Sequence, residues 1–313
     1  MKKTLSLLII ATLLLGLCGC NNNPNGTQND KINIVATIFP QYDFARQITN
    51  GEASINLLLT PGSESHTYEP TPKDIIRIQD SDVFIYIGGE SDQWVDNILQ
   101  GIDTSRTTIV KLMDYVDITP EEQIGTDDDH HPETGDDIEY DEHIWTSPKN
   151  AIKLTRAISD AICKADGKNA DTYKTNTDNY IKELTNLDNE FTEIVKNGTR
   201  DTVVFGDRFP FLYFTKEYNL KHYAAFPGCS SETEPSASTM ATLIDEVTNN
   251  SIPVIFYVEL SNQKVADTLC ESTGAAKLLF HSCHNVSKDE FNSGATYISL
   301  MRANAENLKT ALS

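Results

Sequence analysis

Apolar residues recur along this chain in two rhythms. Residues 32–38 alternate apolar with polar, and residues 55–59, 83–87 and 108–110 are short apolar runs. These read as strands, and the unbroken run at 83–87 is the pattern of a strand covered on both faces. Between them lie stretches with helical spacing, at 42–48, from Pro72 onward, and at 94–99. Proline suits the first turn of a helix, where its missing N–H has no intrahelical partner to lose. Ser147 followed by Pro148 opens a further helix that puts Ile152, Ile158 and Ile162 on one face. Residues 169–196 contain neither Pro nor Gly, and Tyr173, Tyr180, Leu184, Leu187, Phe191 and Ile194 recur at helical steps. That is one long amphipathic helix of roughly 40 Å.

The second half repeats the first. Strands are expected at 202–205, 223–226, 254–258 and 278–280, and helices at 210–218, 235–248, 263–273 and 295–312. Strands alternating with helices define an α/β chain with mainly parallel sheets. The expected organisation is an N-terminal lobe (31–165), a linking helix (166–198) that is long and rigid, and a C-terminal lobe (199–313). The alternation stops only at 119–142, a mostly acidic segment carrying His130 and His131, which has little to bury and reads as a solvated surface loop.

The N-terminus breaks the pattern differently. Lys2 and Lys3 precede an apolar run at 5–15 that is too short to span a bilayer, which marks an export signal. It ends in Leu17-Cys18-Gly19-Cys20, a bacterial lipoprotein box in which Gly19 makes Cys20 the lipidation site, with 1–20 as the signal peptide. A multiply acylated cysteine would hold the protein on the extracytoplasmic face of the cell membrane. Residues 21–30 have no apolar side chain of any size and read as a flexible tether.

The chain has 313 residues and a formal net charge of -21. Such acidity argues against a nucleic-acid partner, whose phosphates would be repelled. Of six cysteines, Cys163, Cys229, Cys270 and Cys283 lie beyond the signal region, and their spacing leaves all three full pairings open.

The candidate chemistry is metal binding. His66 lies between a strand end and the Pro72 helix, His143 just before the Pro148 helix, and His281 where the last strand ends. Loops at strand ends are where open α/β sheets bind ligands, and imidazole is the commonest zinc donor. A tetrahedral site needs a fourth group. Asp207 is the first candidate, and Glu232, Cys229, Cys283 and His284 are others; Cys229 and Cys283 could equally form a disulfide across two loops.

These motifs resemble the solute-binding lipoproteins of zinc/manganese ABC importers, the periplasmic zinc-binding family. PGSESHTYEPTPKD is similar to the family's first ligand segment and DEHIWTSPKNA to its second, and SETEPSAST and YISLMRANAENLKTAL match further segments. The resemblance runs from about Lys31 to Leu312. It implies two α/β lobes joined by one long helix, with metal held in the cleft between them. The implied role is a monomer that captures a divalent metal and delivers it to a membrane permease driven by an ATPase. The chain departs from the pattern in two places. Arg208 falls where the family has its third ligand, and a guanidinium cannot coordinate. His281 takes the place of the family's aspartate after the last strand. The implied site is therefore three histidines with Asp207 or with water. Histidine-rich ligation favours zinc over manganese, which prefers oxygen.

Two other classes compete. A secreted metal-dependent hydrolase would need an open metal position and a general base, yet the chain has no His-Glu-x-x-His or Gly-x-Ser-x-Gly motif. An anchored surface adhesion protein is the other, and the chain carries no tandem repeats to support it. The expectation is a binding protein and not an enzyme.

Overall fold

Among the described residues, eight strands form two four-stranded sheets with the same order of connection. In the first, β1 (Asn33–Ala36), β2 (Ser54–Leu57), β3 (Val83–Tyr86) and β4 (Thr108–Lys111) lie in the order β2-β1-β3-β4. In the second, β5 (Thr202–Phe209), β6 (Lys221–Pro227), β7 (Val254–Tyr257) and β8 (Ala276–Leu279) lie in the order β6-β5-β7-β8. Every pairing is parallel. Parallel neighbours need crossover helices, and those helices cover the sheet faces, which is why β3 is buried along its whole length. The computed structural model describes residues 31–64, 68–122, 139–228, 230 and 234–313. The export signal, Cys20, the tether, His66, His130, His131, Cys229 and Glu232 lie outside them.

The helices begin where local capping chemistry says they should. Helix α1 (Phe39–Thr49) carries Pro40 in its first turn. Helix α2 (Pro72–Gln79) is closed by a box in which Thr71 accepts from the Asp74 N–H and Asp74 reaches back to Thr71. Helix α3 (Gln93–Gly101) follows β3. Helix α4 (Pro148–Ala165) starts on Ser147, whose hydroxyl accepts from the Asn150 N–H. Helix α5 (Ala170–Asn197) is the long linking helix, 28 residues in one piece. The second sheet is served by α6 (Leu212–Tyr218), α7 (Ala237–Asn249), α8 (Lys264–Thr273), a short α9 (Lys288–Asn292) that the periodicity did not suggest, and α10 (Tyr297–Leu312).

One apolar cluster runs through both halves. It joins Ile34, Phe39 and Phe44 of the first to Phe205, Phe214, Phe280 and Tyr297 of the second, through Tyr180, Leu184, Leu187 and Phe191 on α5. The linking helix is thus packed into the core on one face along most of its length. Polar ties reinforce the junction. Asp43 on α1 is fully buried and accepts the Tyr297 N–H at 2.7 Å, and the Tyr297 hydroxyl donates to the Trp145 carbonyl at 2.7 Å.

Strand β5 is longer than the expected 202–205. It continues through Gly206, Asp207 and Arg208, and the register against β6 shifts between Phe205 and Arg208. The irregularity turns a segment that reads as loop into the end of a strand. Gly206 is required there, because a Cβ would come within 2.5 Å of the Ala266 Cα on α8. Cys163, Cys270 and Cys283 are free thiols.

Candidate metal centre

The C-terminal ends of the second sheet's strands gather at one place. Arg208 from β5, Gly228 after β6, Val258 and Glu259 after β7, and Ser282 and His284 after β8 line a cleft of about 50 Å³. The opposite wall comes from the first half, as Ser63, Glu64 and His143. A volume of this size has room for an ion.

His143 is held tightly. It is 1% exposed and caps a 3-10 turn, Ile144–Thr146. Its N–H donates to Asp141 Oδ1 at 2.8 Å, and its ring Nδ1 lies 3.3 Å from the same oxygen. Gly228 faces its Cε1, where a Cβ would stand 3.2 Å away, and Trp145 packs against the ring at a centroid distance of 5.4 Å. A carboxylate on Nδ1 fixes the tautomer that leaves Nε2 as a donor for a metal. Burial opposes protonation of His143, but Asp141, helped by Glu142 and Glu121, outweighs it and raises the pKa.

His284 faces His143, with ring centroids 5.4 Å apart, edge to face. Trp145 lies 5.0 Å from the His284 ring and donates its indole N–H to the Ser282 carbonyl at 2.7 Å. The 281–284 segment therefore seats against the 143–145 segment directly.

His281 and His284 are placed differently. His284 shares the cleft with His143, whereas His281 is buried behind it. The His281 backbone is gripped by Asn304, whose amide accepts from its N–H at 2.7 Å and donates to its carbonyl at 2.8 Å. Its Nδ1 accepts the Cys283 N–H at 2.9 Å, across a turn in which Cys283 adopts φ 63. Its Nε2 lies 3.7 Å from Glu290. The Nδ1 bond ties the ring to the turn, while the buried Nε2 has no hydrogen-bond partner among the described residues.

Asp207 also has protein partners. One carboxylate oxygen accepts the Arg208 N–H at 2.9 Å and the other the Val258 N–H at 3.2 Å. It lines a separate cavity of about 240 Å³ beside the cleft. Burial pushes its carboxyl above the usual range. Arg208 borders both cavities and pairs with Glu64 across the cleft at 3.2 Å. Among the described residues, no three histidine, cysteine or carboxylate side chains already surround a single point. The structure thus brings His143 and His284 together, sets His281 and Asp207 apart from them, and leaves His66 outside its described residues. Asp141 was not singled out from sequence. Its signal is the Asp-x-His spacing, which lets a carboxylate reach both the backbone and the ring two residues on.

Fold and cleft define a two-lobed, helix-linked α/β protein with a small cleft between its halves. The sequence model of the family described as zinc-uptake complex component A, periplasmic, matches residues 34–311, and the chain belongs to that family. It is 31% identical over 319 residues to the high-affinity zinc uptake system protein ZnuA of Bacillus subtilis (strain 168), covering 99% of this chain and 98% of that one. It is also 31% identical over 307 residues to the zinc-binding lipoprotein AdcA of Streptococcus pneumoniae (strain ATCC BAA-255 / R6), where 98% of this chain spans only 60% of the relative. The crystal structure of the metal-dependent lipoprotein YcdH from Bacillus subtilis superposes with a TM-score of 0.77 at 31% identity, over 90% of this chain and 100% of that one.

Proposed function

We propose that this chain is the metal-capturing subunit of an ABC importer, with zinc as its cargo. It takes the ion outside the cytoplasm and hands it to a membrane permease driven by an ATPase. The observation that carries the reading is the facing pair His143 and His284 in an ion-sized cleft. Two further facts support it: the family match, and relatives named for zinc uptake and zinc binding. The ligand set we propose is His66, His143 and His284. Water completes the tetrahedron, and His281 and Asp207 brace the loops behind it. Imidazole donors select zinc over manganese.

The same reading makes residues 1–20 the lipoprotein signal segment, cut before Cys20 so that Cys20 stays as the lipidated anchor on the cell membrane, and 21–30 a tether. Residues 31–165 and 199–313 are the lobes, and 166–198 the link. The chain works as a monomer, and its cleft serves capture and not turnover.

The test is metal analysis of the chain without residues 1–30, followed by zinc and manganese titration. Residues Ile32–Ser313 form one compact unit. One zinc per chain, lost in His143→Ala and His66→Ala, is the expected result. Absence of stoichiometric metal in the native protein overturns the reading. For the anchor, Cys20→Ala should move the full-length protein from the membrane to the soluble fraction, and unchanged membrane retention removes Cys20 from that role.

A further inference from the structure

The hydroxyl of Tyr213 stands at the end of a short relay to His143. Tyr213 lies on α6, in the second half of the chain, and is 6% exposed. Its oxygen accepts the Thr119 N–H at 3.1 Å and donates to the Asp141 carbonyl at 2.8 Å. Thr119 and Asp141 are themselves joined, since the Asp141 N–H donates to the Thr119 carbonyl at 2.9 Å. The same two segments pair again where Pro120 and Tyr140 form an antiparallel bridge. One phenol therefore clasps both ends of the acidic 119–142 segment.

Asp141 is held through its backbone N–H and its backbone carbonyl, and it is 2% exposed. With the backbone fixed, one carboxylate oxygen meets both the backbone N–H and the ring Nδ1 of His143. A buried carboxylate in a fixed place orders an imidazole far better than one free to rotate, because the alternative ring states lose a charge-assisted hydrogen bond.

We infer that Tyr213 is a positioning residue for the metal centre: its hydroxyl fixes Asp141, and Asp141 fixes the tautomer and orientation of His143. The residue acts from the second lobe on a donor of the first. This rests on the function proposed above for His143, but its structural half can be tested with no metal at all.

The experiment uses the native chain, Tyr213→Phe, Asp141→Asn and the double variant. Nitrogen-15 NMR of the labelled imidazoles reports which ring nitrogen of His143 is protonated, and competition with a chromophoric chelator reports zinc affinity. In the native protein Nδ1 is expected to carry the proton. Tyr213→Phe should mix the two tautomers and weaken zinc binding about tenfold, the low end of the 10–100-fold loss typical when an outer partner of a metal-binding histidine is removed. Adding Tyr213→Phe to Asp141→Asn should cost nothing more, since the hydroxyl acts only through Asp141. Three results overturn the inference: an unchanged His143 tautomer in Tyr213→Phe, zinc affinity within twofold of native in that variant, or losses that multiply in the double variant. If Tyr213→Phe fails to fold, the native and Asp141→Asn tautomers still decide whether the relay orders the ring. If the native chain shows the expected tautomer but takes no zinc, the cargo proposal fails while the relay stands.

Discussion

Replacing Trp145 with Phe alters a side chain that packs against both His143 and His284 and bridges the two halves. Trp145 is 1% exposed and its indole N–H meets the Ser282 carbonyl at 2.7 Å. Phenylalanine keeps an aromatic ring but lacks the donor, so the Ser282 carbonyl is left buried and unpaired, at a cost of about 1–3 kcal/mol. The smaller ring also leaves about 40 Å³ unfilled, worth about 1 kcal/mol at ~24 cal/mol per Å³. The two together give about 2–4 kcal/mol. For a chain of this size that lowers the thermal midpoint by roughly 3–7 °C. Differential scanning calorimetry with matched urea unfolding measures it. Because one apolar cluster spans both halves, native and variant should each unfold in a single transition. A loss below about 0.5 kcal/mol refutes the argument that this hydrogen bond is buried and structural. Two separated transitions in the native chain refute the shared core.

Three further outcomes follow from the same geometry. Burial pushes the Asp92 carboxyl from 3.8 up to about 7, so the folded chain keeps a proton that the unfolded chain releases, and stability falls as pH rises through that interval. Asp92→Asn should remove this slope, so that its stability relative to native improves by up to about 4 kcal/mol between pH 4 and pH 8; a constant difference in urea titrations across that range contradicts the assignment. Gly206→Ala should destabilise by about 1–3 kcal/mol or more, because a Cβ runs into the α8 backbone at Ala266 and not into a movable side chain; a neutral result by the same titrations means that β5 and α8 separate freely. Protons compete with metal for imidazole, and Asp141 acts to hold the His143 pKa above its usual 6.5. Zinc affinity should already be falling as pH drops through neutrality, and affinity that stays flat down to about pH 5 argues against histidine ligation.

The legible parts of this fold are those with local causes. Thr71-Pro72, Ser147-Pro148 and the Gly-free, Pro-free α5 each announce themselves within a few residues. The alternation of strands and helices was enough for two parallel sheets. What was not legible depends on backbone path. His281 and His284 are three residues apart in one loop, and which of them faces the cleft is set by a left-handed turn at Cys283 and by Asn304, 23 residues downstream. The Gly206-Asp207-Arg208 segment reads as loop because of its composition, yet a register shift keeps it in the sheet and turns Asp207 toward Val258. Asp141 and Tyr213 could not be paired from sequence, since nothing but the folded chain joins positions 72 residues apart.

The Asn285 side chain donates to the carbonyls of Thr60 and Ser63, and the Gly62 N–H donates to the carbonyl of Val286. These bonds pin the 60–64 segment to the far half of the molecule. In the proposed function, the two rims of the cleft are therefore already tied together before the ion arrives. The difficulty moves to unloading. The quickest way to open the cleft around a bound ion is to pry 60–64 away from 282–286. In the proposed importer the work of delivery then falls on the receiving permease, and the three bonds set the threshold that it must exceed.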